Sequence, residues 1–122
     1  MSIRLLLADD SDILRKVIRK RLESEPQISI LAEARTVEEI VQSAKQFMPD
    51  VILLDVHMPN PSRLSIEQIK EACSGCRVLA MSIFTEPDTL ELAKALGAIR
   101  LLDKATLYHE LVPAILGVQN PQ

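Results

Sequence analysis

The sequence predicts an α/β fold in which a mostly parallel sheet is covered by helices on both faces. Strand-like and helix-like patterns alternate from one end of the chain to the other. The strand-like runs are continuously aliphatic, which is typical of strands buried on both faces. With 122 residues, 48% of them hydrophobic but only 2% aromatic, we expect one domain with a core of Leu, Ile and Val.

Five short apolar runs are the predicted strands. They cover residues 3–8, 28–34, 51–54, 78–81 and 99–102. The first two helices lie between the first three strands, and each follows a hydroxyl residue that can cap it, Ser11 and Thr36. Their apolar residues recur at helical spacing until Pro26 and Pro49 end the two patterns.

The three remaining helices are predicted from the same spacing. They cover residues 62–73, a segment from Thr89 that Gly97 closes, and residues 106–116. Pro113 falls inside the last helix, where it removes a backbone donor, so we expect a kink or a shortened helix. The chain after Gly117 should fray.

Polar residues stand at the ends of four predicted strands. They are Asp9, Asp10, Asp55, Ser82 and Lys104. The carboxyl ends of parallel strands open into one crevice where the winding direction reverses. Three crowded carboxylates repel one another unless a cation neutralises them, and all-oxygen ligation favours Mg²⁺. Alone, each of these residues could be an ordinary turn, cap or surface residue; their joint placement predicts a site for Mg²⁺ and a phosphoryl group.

Charge and hydropathy exclude several classes of partner. A formal net charge of −3 gives no field that would draw the domain onto nucleic acid. No segment approaches the roughly 18 apolar residues of a membrane helix, so we expect no membrane partner and a cytoplasmic location.

Cys73 and Cys76 form a C-x-x-C pair that could indicate redox chemistry or a metal. A redox pair should open a helix, whereas this pair is predicted to close one. Zinc needs about four ligands, and no second Cys/His pair is present. We therefore expect Cys73 to be a small apolar core residue and Gly75 to lie in a turn.

Four segments resemble the receiver domain of bacterial response regulators, and together they span nearly the whole chain. They are LLLADDSDILRKVIRKRLESEP, PDVILLDVHMP, RVLAMSIF and ALGAIRLLDKA. They are most similar to receivers that precede a helix-turn-helix output domain. The resemblance implies a flavodoxin-like sheet of five parallel strands in the order 2-1-3-4-5, flanked by five helices.

The resemblance also implies the role of each strand-end residue. Asp55 is the nucleophile that takes a phosphoryl group from a kinase histidine. Asp10 and Asp55 bind Mg²⁺ directly, the backbone carbonyl of His57 is a third ligand, and Asp9 acts largely through water. The imidazole of His57 could itself bind metal or act as an acid or base, but the resemblance places it at the rim of the site.

The two remaining site residues would contact the phosphoryl group itself. The resemblance implies that Lys104 pairs with one of its oxygens and that Ser82 bonds to another, which draws the following loop inward. The basic run at 15–21 could steer an acidic partner, although such a run is usually a solvated helix face.

Three positions depart from the receiver pattern. Arg63 stands where a glycine is common, so the loop before it should turn differently. Ile83 replaces the small residue that usually follows the switch hydroxyl, and Leu101 replaces the usual aromatic residue. The last two changes concern switching, while the chemical residues are intact.

The sequence thus predicts a receiver domain over residues 1–117 and a short tail or linker over 118–122. Its expected partners are a histidine kinase or phosphotransfer protein and a downstream protein or C-terminal output domain, and a homodimer is also open. We expect no enzymatic activity beyond its own phosphorylation and dephosphorylation. The alternative is a small Mg²⁺-dependent phosphatase or phosphotransferase with an Asp nucleophile, but such enzymes typically need an enclosing insertion, for which the chain has no room.

Overall fold

The predicted parallel sheet is present, with the predicted strand order. The structure is a computed structural model that describes residues 2–58, 63–83 and 88–118. The strands are β1 (Ile3–Ala8), β2 (Ile28–Ala34), β3 (Val51–Asp55), β4 (Arg77–Ser82) and β5 (Arg100–Asp103). They pair in parallel in the order β2-β1-β3-β4-β5, which confirms the flavodoxin-like topology.

Five helices connect and follow these strands. They are α1 (Asp12–Glu23), α2 (Val37–Phe47), α3 (Arg63–Ala72), α4 (Thr89–Ala95) and α5 (Leu107–Gly117), the last preceded by a 3₁₀ turn at Lys104–Thr106. Among the described residues, no helix has the length and apolarity needed to cross a membrane.

The sheet separates two core layers. Alternate residues of each strand point to opposite faces, so Leu5 and Leu7 pack with α1 and α5, while Leu6 and Ala8 pack with α2, α3 and α4. The strands are therefore buried on both sides, as their aliphatic runs predict. This arrangement leaves the carboxyl ends of β1, β3 and β4 uncovered by helix layers and positions the site there.

The helix caps follow the sequence closely. Ser11 and Thr36 each accept a backbone N–H bond from the first turn of the helix that they precede, which satisfies donors that the helix leaves unpaired. Gly97, after α4, has a φ of +73°, a conformation that glycine adopts without strain.

The helix faces differ from the prediction at two positions. In α1, Val17 is one of the apolar residues at helical spacing but is 50% exposed, and Arg15 is buried instead. Met48 continues the apolar spacing of α2 but is 74% exposed. It ends that helix in the left-handed conformation, with a φ of 47°, so its side chain leaves the stripe.

Helix α5 is not shortened by its proline. It runs through Pro113 to Gly117. The carbonyl that loses its donor belongs to His109, four residues earlier, and both residues are exposed, so water can replace the missing bond. Val118, the first residue of the predicted tail, is buried in the core layer beside α5, and the rest of that tail lies outside the described residues.

Candidate functional site

Three carboxylates meet at the carboxyl ends of β1 and β3. Asp55 is the last residue of β3, and Asp9 and Asp10 follow β1. One oxygen from each lies within 4.8 Å of the others. Asp9 and Asp55 are 0% and 5% exposed, whereas Asp10 is exposed. The structure therefore places the three predicted metal-binding aspartates in one cluster.

Lys104 lies between the two buried carboxylates. Its Nζ is 2.9 Å from Asp9 Oδ2 and 3.1 Å from Asp55 Oδ2. Burial alone would lower the pKa of Lys104, but the hydrogen bond to Asp9 and the charge of Asp55 outweigh it and raise that pKa above its usual value. Lys104 is thus a fixed cation in the crevice, at the start of the turn that follows β5.

Asp9 is the most strongly desolvated of the three carboxylates. Its Oδ1 accepts a 2.7 Å hydrogen bond from the backbone N–H of Ser11. Its Oδ2 is buried and is paired with the Lys104 ammonium at 2.9 Å. Burial raises the pKa of Asp9, an effect that the bonds from Ser11 and Lys104 only partly oppose. This oxygen has spare capacity for a further ligand.

The imidazole of His57 does not join the carboxylate cluster. Its backbone N–H donates to Asp55 Oδ1 at 2.9 Å, which fixes the orientation of that carboxylate. Its ring Nε2 lies 2.9 Å from Thr89 Oγ1, at the start of α4. The side chain is partly exposed and bridges towards α4 at the edge of the site.

Ser82 ends β4, next to the strand that carries Asp55. Met81 is the register partner of Asp55, so Ser82 lies one residue further towards the crevice. Its side chain is fully buried, donates a 3.1 Å bond to the carbonyl of Ile83, and lies 3.2 Å from Thr89 Oγ1. The hydroxyl is therefore at the site but engaged with α4 and its own loop.

Arg15 supports the site and was not singled out from the basic run. Its guanidinium donates to the backbone carbonyl of Asp9 at 2.7 Å and to Glu33 at 3.2 Å, and it also pairs with Asp12. The hydrogen bond from Arg15 to Asp12 lowers the pKa of Asp12. Its spacing of three and seven residues from Ile18 and Leu22 could have placed it on the buried face of α1.

The three departures from the receiver pattern fall after β4, within β5 and at the start of α3. Ile83 follows Ser82 directly and is 50% exposed. Leu101 pairs with Ala80 across β4 and β5 and packs against the layer that contains α4. Helix α3 begins at Arg63, and the loop before it, residues 59–62, lies outside the described residues.

The cysteine pair lies at the far end of α3 from the carboxylates. Cys73 is buried in the core, Cys76 is partly exposed, and neither forms a disulfide. The N–H of Cys76 bonds to the carbonyl of Cys73 at 2.9 Å in a turn that contains Gly75. The pair closes a helix, as its sequence position predicts.

Comparison with known proteins identifies the family. The model of the response regulator receiver domain matches residues 5–116, so this chain belongs to that family and is a receiver domain of two-component response regulators. Receiver domains hold Mg²⁺ at an acidic cluster, and Asp9, Asp10 and Asp55 form such a group here. The predicted family and signalling class are confirmed, and the alternative of a stand-alone phosphatase is not favoured.

The relatives include two kinds of response regulator. The chain is 35% identical over 104 residues to protein-glutamate methylesterase/protein-glutamine glutaminase 3 of Syntrophomonas wolfei, covering 84% of this chain and 30% of the relative. It is 36% identical over 115 residues to the uncharacterized transcriptional regulatory protein YxjL of Bacillus subtilis, covering 93% of this chain and 52% of the relative. The chain thus spans only 30% and 52% of the lengths of these two relatives.

A solved structure supports the same assignment over the full chain. The response regulator domain of Thermotoga maritima CheB is 28% identical, with a TM-score of 0.83 and coverage of 100% of this chain and 99% of that domain.

Proposed function

We propose that Asp55 accepts a phosphoryl group from the histidine of a kinase or phosphotransfer protein. The observation that carries this proposal is the position of the Asp55 carboxylate, which ends a buried strand within 3.1 Å of the Lys104 ammonium and beside two further carboxylates. In the transfer, a carboxylate oxygen of Asp55 forms a bond to phosphorus and the bond from phosphorus to the donor nitrogen breaks. The electron pair of the broken bond stays on that nitrogen, so the donor imidazole is the leaving group.

The acidic cluster fits Mg²⁺. Its three aspartates offer oxygens within 4.8 Å of one another, and among the described residues the buried Asp9 Oδ2 is paired with the Lys104 ammonium alone. Hard cations prefer such an all-oxygen set. We propose that Asp10, Asp55 and the carbonyl of His57 bind the ion and that Asp9 acts through water. Bound there, Mg²⁺ would offset the negative charge of the carboxylates and the phosphoryl group.

Lys104 and Ser82 supply the remaining contacts to the phosphoryl group. Lys104 is already held beside Asp55, and its raised pKa keeps it charged. It can exchange part of its pairing with Asp9 for a phosphoryl oxygen. Ser82 must give up its present partners before its hydroxyl can reach the same group. The release of Ser82 from its present partners links phosphorylation to the start of α4, because one of these partners is Thr89.

We propose a cytoplasmic signalling role with no catalysis beyond the domain's own phosphorylation and dephosphorylation. The family supports a histidine kinase as the upstream partner and an output domain or docked protein, with or without self-association, as the downstream one. The relatives carry this domain in methylesterases and in a transcriptional regulator, so either kind of output is compatible with it.

Intact-mass spectrometry after incubation with Mg²⁺ and acetyl phosphate tests the proposal. We expect one phosphoryl adduct in the wild type and none in Asp55→Asn or after chelation of the metal. Asp50→Asn is the matched control, because Asp50 lies at the opposite end of β3, where its Oδ2 accepts a bond from Arg4. An adduct that persists in Asp55→Asn, or that forms equally well without divalent metal, would refute the mechanism.

A further inference from the structure

Three side chains from different elements form a continuous hydrogen-bonded chain beside the phosphoacceptor. The ring of His57 follows β3, Thr89 begins α4, and Ser82 ends β4. His57 Nε2 lies 2.9 Å from Thr89 Oγ1, which lies 3.2 Å from Ser82 Oγ, which lies 3.1 Å from the carbonyl of Ile83. Thr89 is 7% exposed and Ser82 is fully buried, so these bonds are largely shielded from water.

The available protons give this chain one consistent direction. A serine hydroxyl has a single proton, and Ser82 donates it to the carbonyl of Ile83. With that proton placed, Thr89 is the donor in its bond to Ser82. The oxygen of Thr89 can then accept from the ring when the Nε2 of His57 carries a proton. In this arrangement the imidazole orients Thr89 towards Ser82.

Under the proposed function, Ser82 has to leave this arrangement to bond a phosphoryl oxygen. The hydroxyl of Ser82 would donate its hydrogen bond to a phosphoryl oxygen instead of to the Ile83 carbonyl. Its contact with Thr89 would lengthen or break. Because a buried hydroxyl that loses a partner is destabilised, the bond from Thr89 favours the unphosphorylated arrangement.

We propose that Thr89 and His57 are positioning residues that hold Ser82 in its resting arrangement and so set the threshold for switching. This inference rests on the proposed function of Asp55 and assigns the control of its switch to this chain's own side chains. Thr89 acts on the hydroxyl directly, and His57 acts through Thr89. When Ser82 moves to the phosphoryl group, the first turn of α4 loses a hydrogen bond to β4. The loss of this bond transmits the change to α4.

Beryllofluoride binding in the presence of Mg²⁺ measures the threshold. Thr89→Val keeps the branched shape but removes the hydroxyl, so Ser82 is released and the affinity should rise about threefold to tenfold, the effect of one hydrogen bond. Thr89→Ser keeps the hydroxyl and should remain near the wild type. His57→Phe should shift the affinity in the same direction as Thr89→Val, and the double variant should bind no more tightly than Thr89→Val, because both changes break one chain.

Side-chain NMR of Ser82 without metal or beryllofluoride provides a readout independent of phosphoryl chemistry. Three-bond couplings should show one χ1 rotamer in the wild type and in Thr89→Ser, and rotamer averaging in Thr89→Val. Equal beryllofluoride affinities in the wild type and Thr89→Val, or additive effects of the two substitutions, would overturn this inference alone. A wild type that does not bind beryllofluoride would overturn the proposed function, and the inference with it.

Discussion

Lys104 is one of the groups that set the pKa of Asp9, after burial and the hydrogen bond from Ser11. Its hydrogen bond and charge lower the pKa of Asp9 and so oppose the larger effect of burial. We predict that Lys104→Met raises the pKa of Asp9 further, measured by the pH titration of the side-chain carboxyl ¹³C signal. Because the pKa of Asp9 is already above its value in the unfolded chain, its stabilising contribution is full at pH below about 3.8 and is lost as the pH rises through the folded-state value.

In Lys104→Met, that loss should therefore occur at higher pH than in the wild type. Lys94→Met is the control, since Lys94 is an exposed residue of α4. An unchanged or lower pKa of Asp9 in the Lys104 variant would show that the ion pair does not control this carboxylate.

Ile83 and Leu101 should give the switch a different character from that of aromatic-bearing receivers. Ile83 is half exposed beside Ser82, where it should slow the approach of water, so Ile83→Ala should lose its phosphoryl group faster than the wild type. Leu101 is partly buried against the core, where part of the roughly 1.5–3 kcal/mol for full burial of such a side chain is gained. We therefore expect it to stay inward, with backbone amide shifts on beryllofluoride binding that are small at Leu101 and in α5.

Dephosphorylation rates and amide shifts before and after beryllofluoride test both parts. Ile99→Ala is the matched control, because Ile99 is equally exposed but is not adjacent to Ser82. Faster loss in the wild type than in Ile83→Ala, or large shifts centred on Leu101, would contradict this prediction.

Individual site residues were predictable only where their spacing along the chain was informative. The strand-end rule brought Asp9, Asp10, Asp55 and Lys104 together correctly, because parallel strands share one carboxyl edge. Arg15 was missed because a charge within a basic run is usually solvated. Its burial depends on Glu33 from β2 and on a backbone carbonyl, and such tertiary partners are not visible in a local pattern.

At the scale of elements, we predict that changes at the end of α3 do not affect Mg²⁺ binding or phosphorylation. Cys73 and Cys76 lie beyond its last residue, opposite the carboxylates. Replacing both with Ser should leave Mg²⁺ affinity and phosphorylation nearly unchanged, while the hydroxyl buried at position 73 should lower the free energy of unfolding by about 1–3 kcal/mol. Magnesium titration, intact mass and urea unfolding measure the three quantities.

Cys76→Ser alone provides the control for that variant, because Cys76 is only partly buried. It should lose much less stability than the double variant. A large loss of phosphorylation, or stoichiometric zinc in the purified protein, would show that the pair has a role in the site.

Capping and helix-breaking residues predicted most helix boundaries. The prediction was wrong where a helix-breaking residue lies on an exposed face, because water replaces the lost hydrogen bond there. Ser11 and Thr36 mark helix starts through their own hydroxyls, so the sequence was sufficient there. Pro113 suggested a shorter helix, but the lost bond falls on a carbonyl at an exposed position, where water compensates for it. Predicting that outcome requires knowing which face of α5 is solvated.

At the scale of the whole molecule, the sequence pattern predicted the class of fold, and the resemblance supplied the order of the strands. Alternation of elements indicates a parallel sheet but does not by itself select 2-1-3-4-5. The hydrogen-bonded chain from His57 to Ser82 could not be predicted, because it joins residues 32 and 7 positions apart whose meeting depends on how α4 packs.

The desolvated carboxylate of Asp9 also has a consequence for how the sequence can change over generations. An amide at this position would keep the oxygen that accepts from Ser11 and would lose the ion pair with Lys104, which still pairs with Asp55. It would also remove a charge whose burial outweighs that pairing and opposes folding. Selection for heat resistance alone should therefore enrich Asp9→Asn among surviving clones, whereas selection for signalling should remove it. An aspartate kept at this position would therefore be explained by signalling and not by stability.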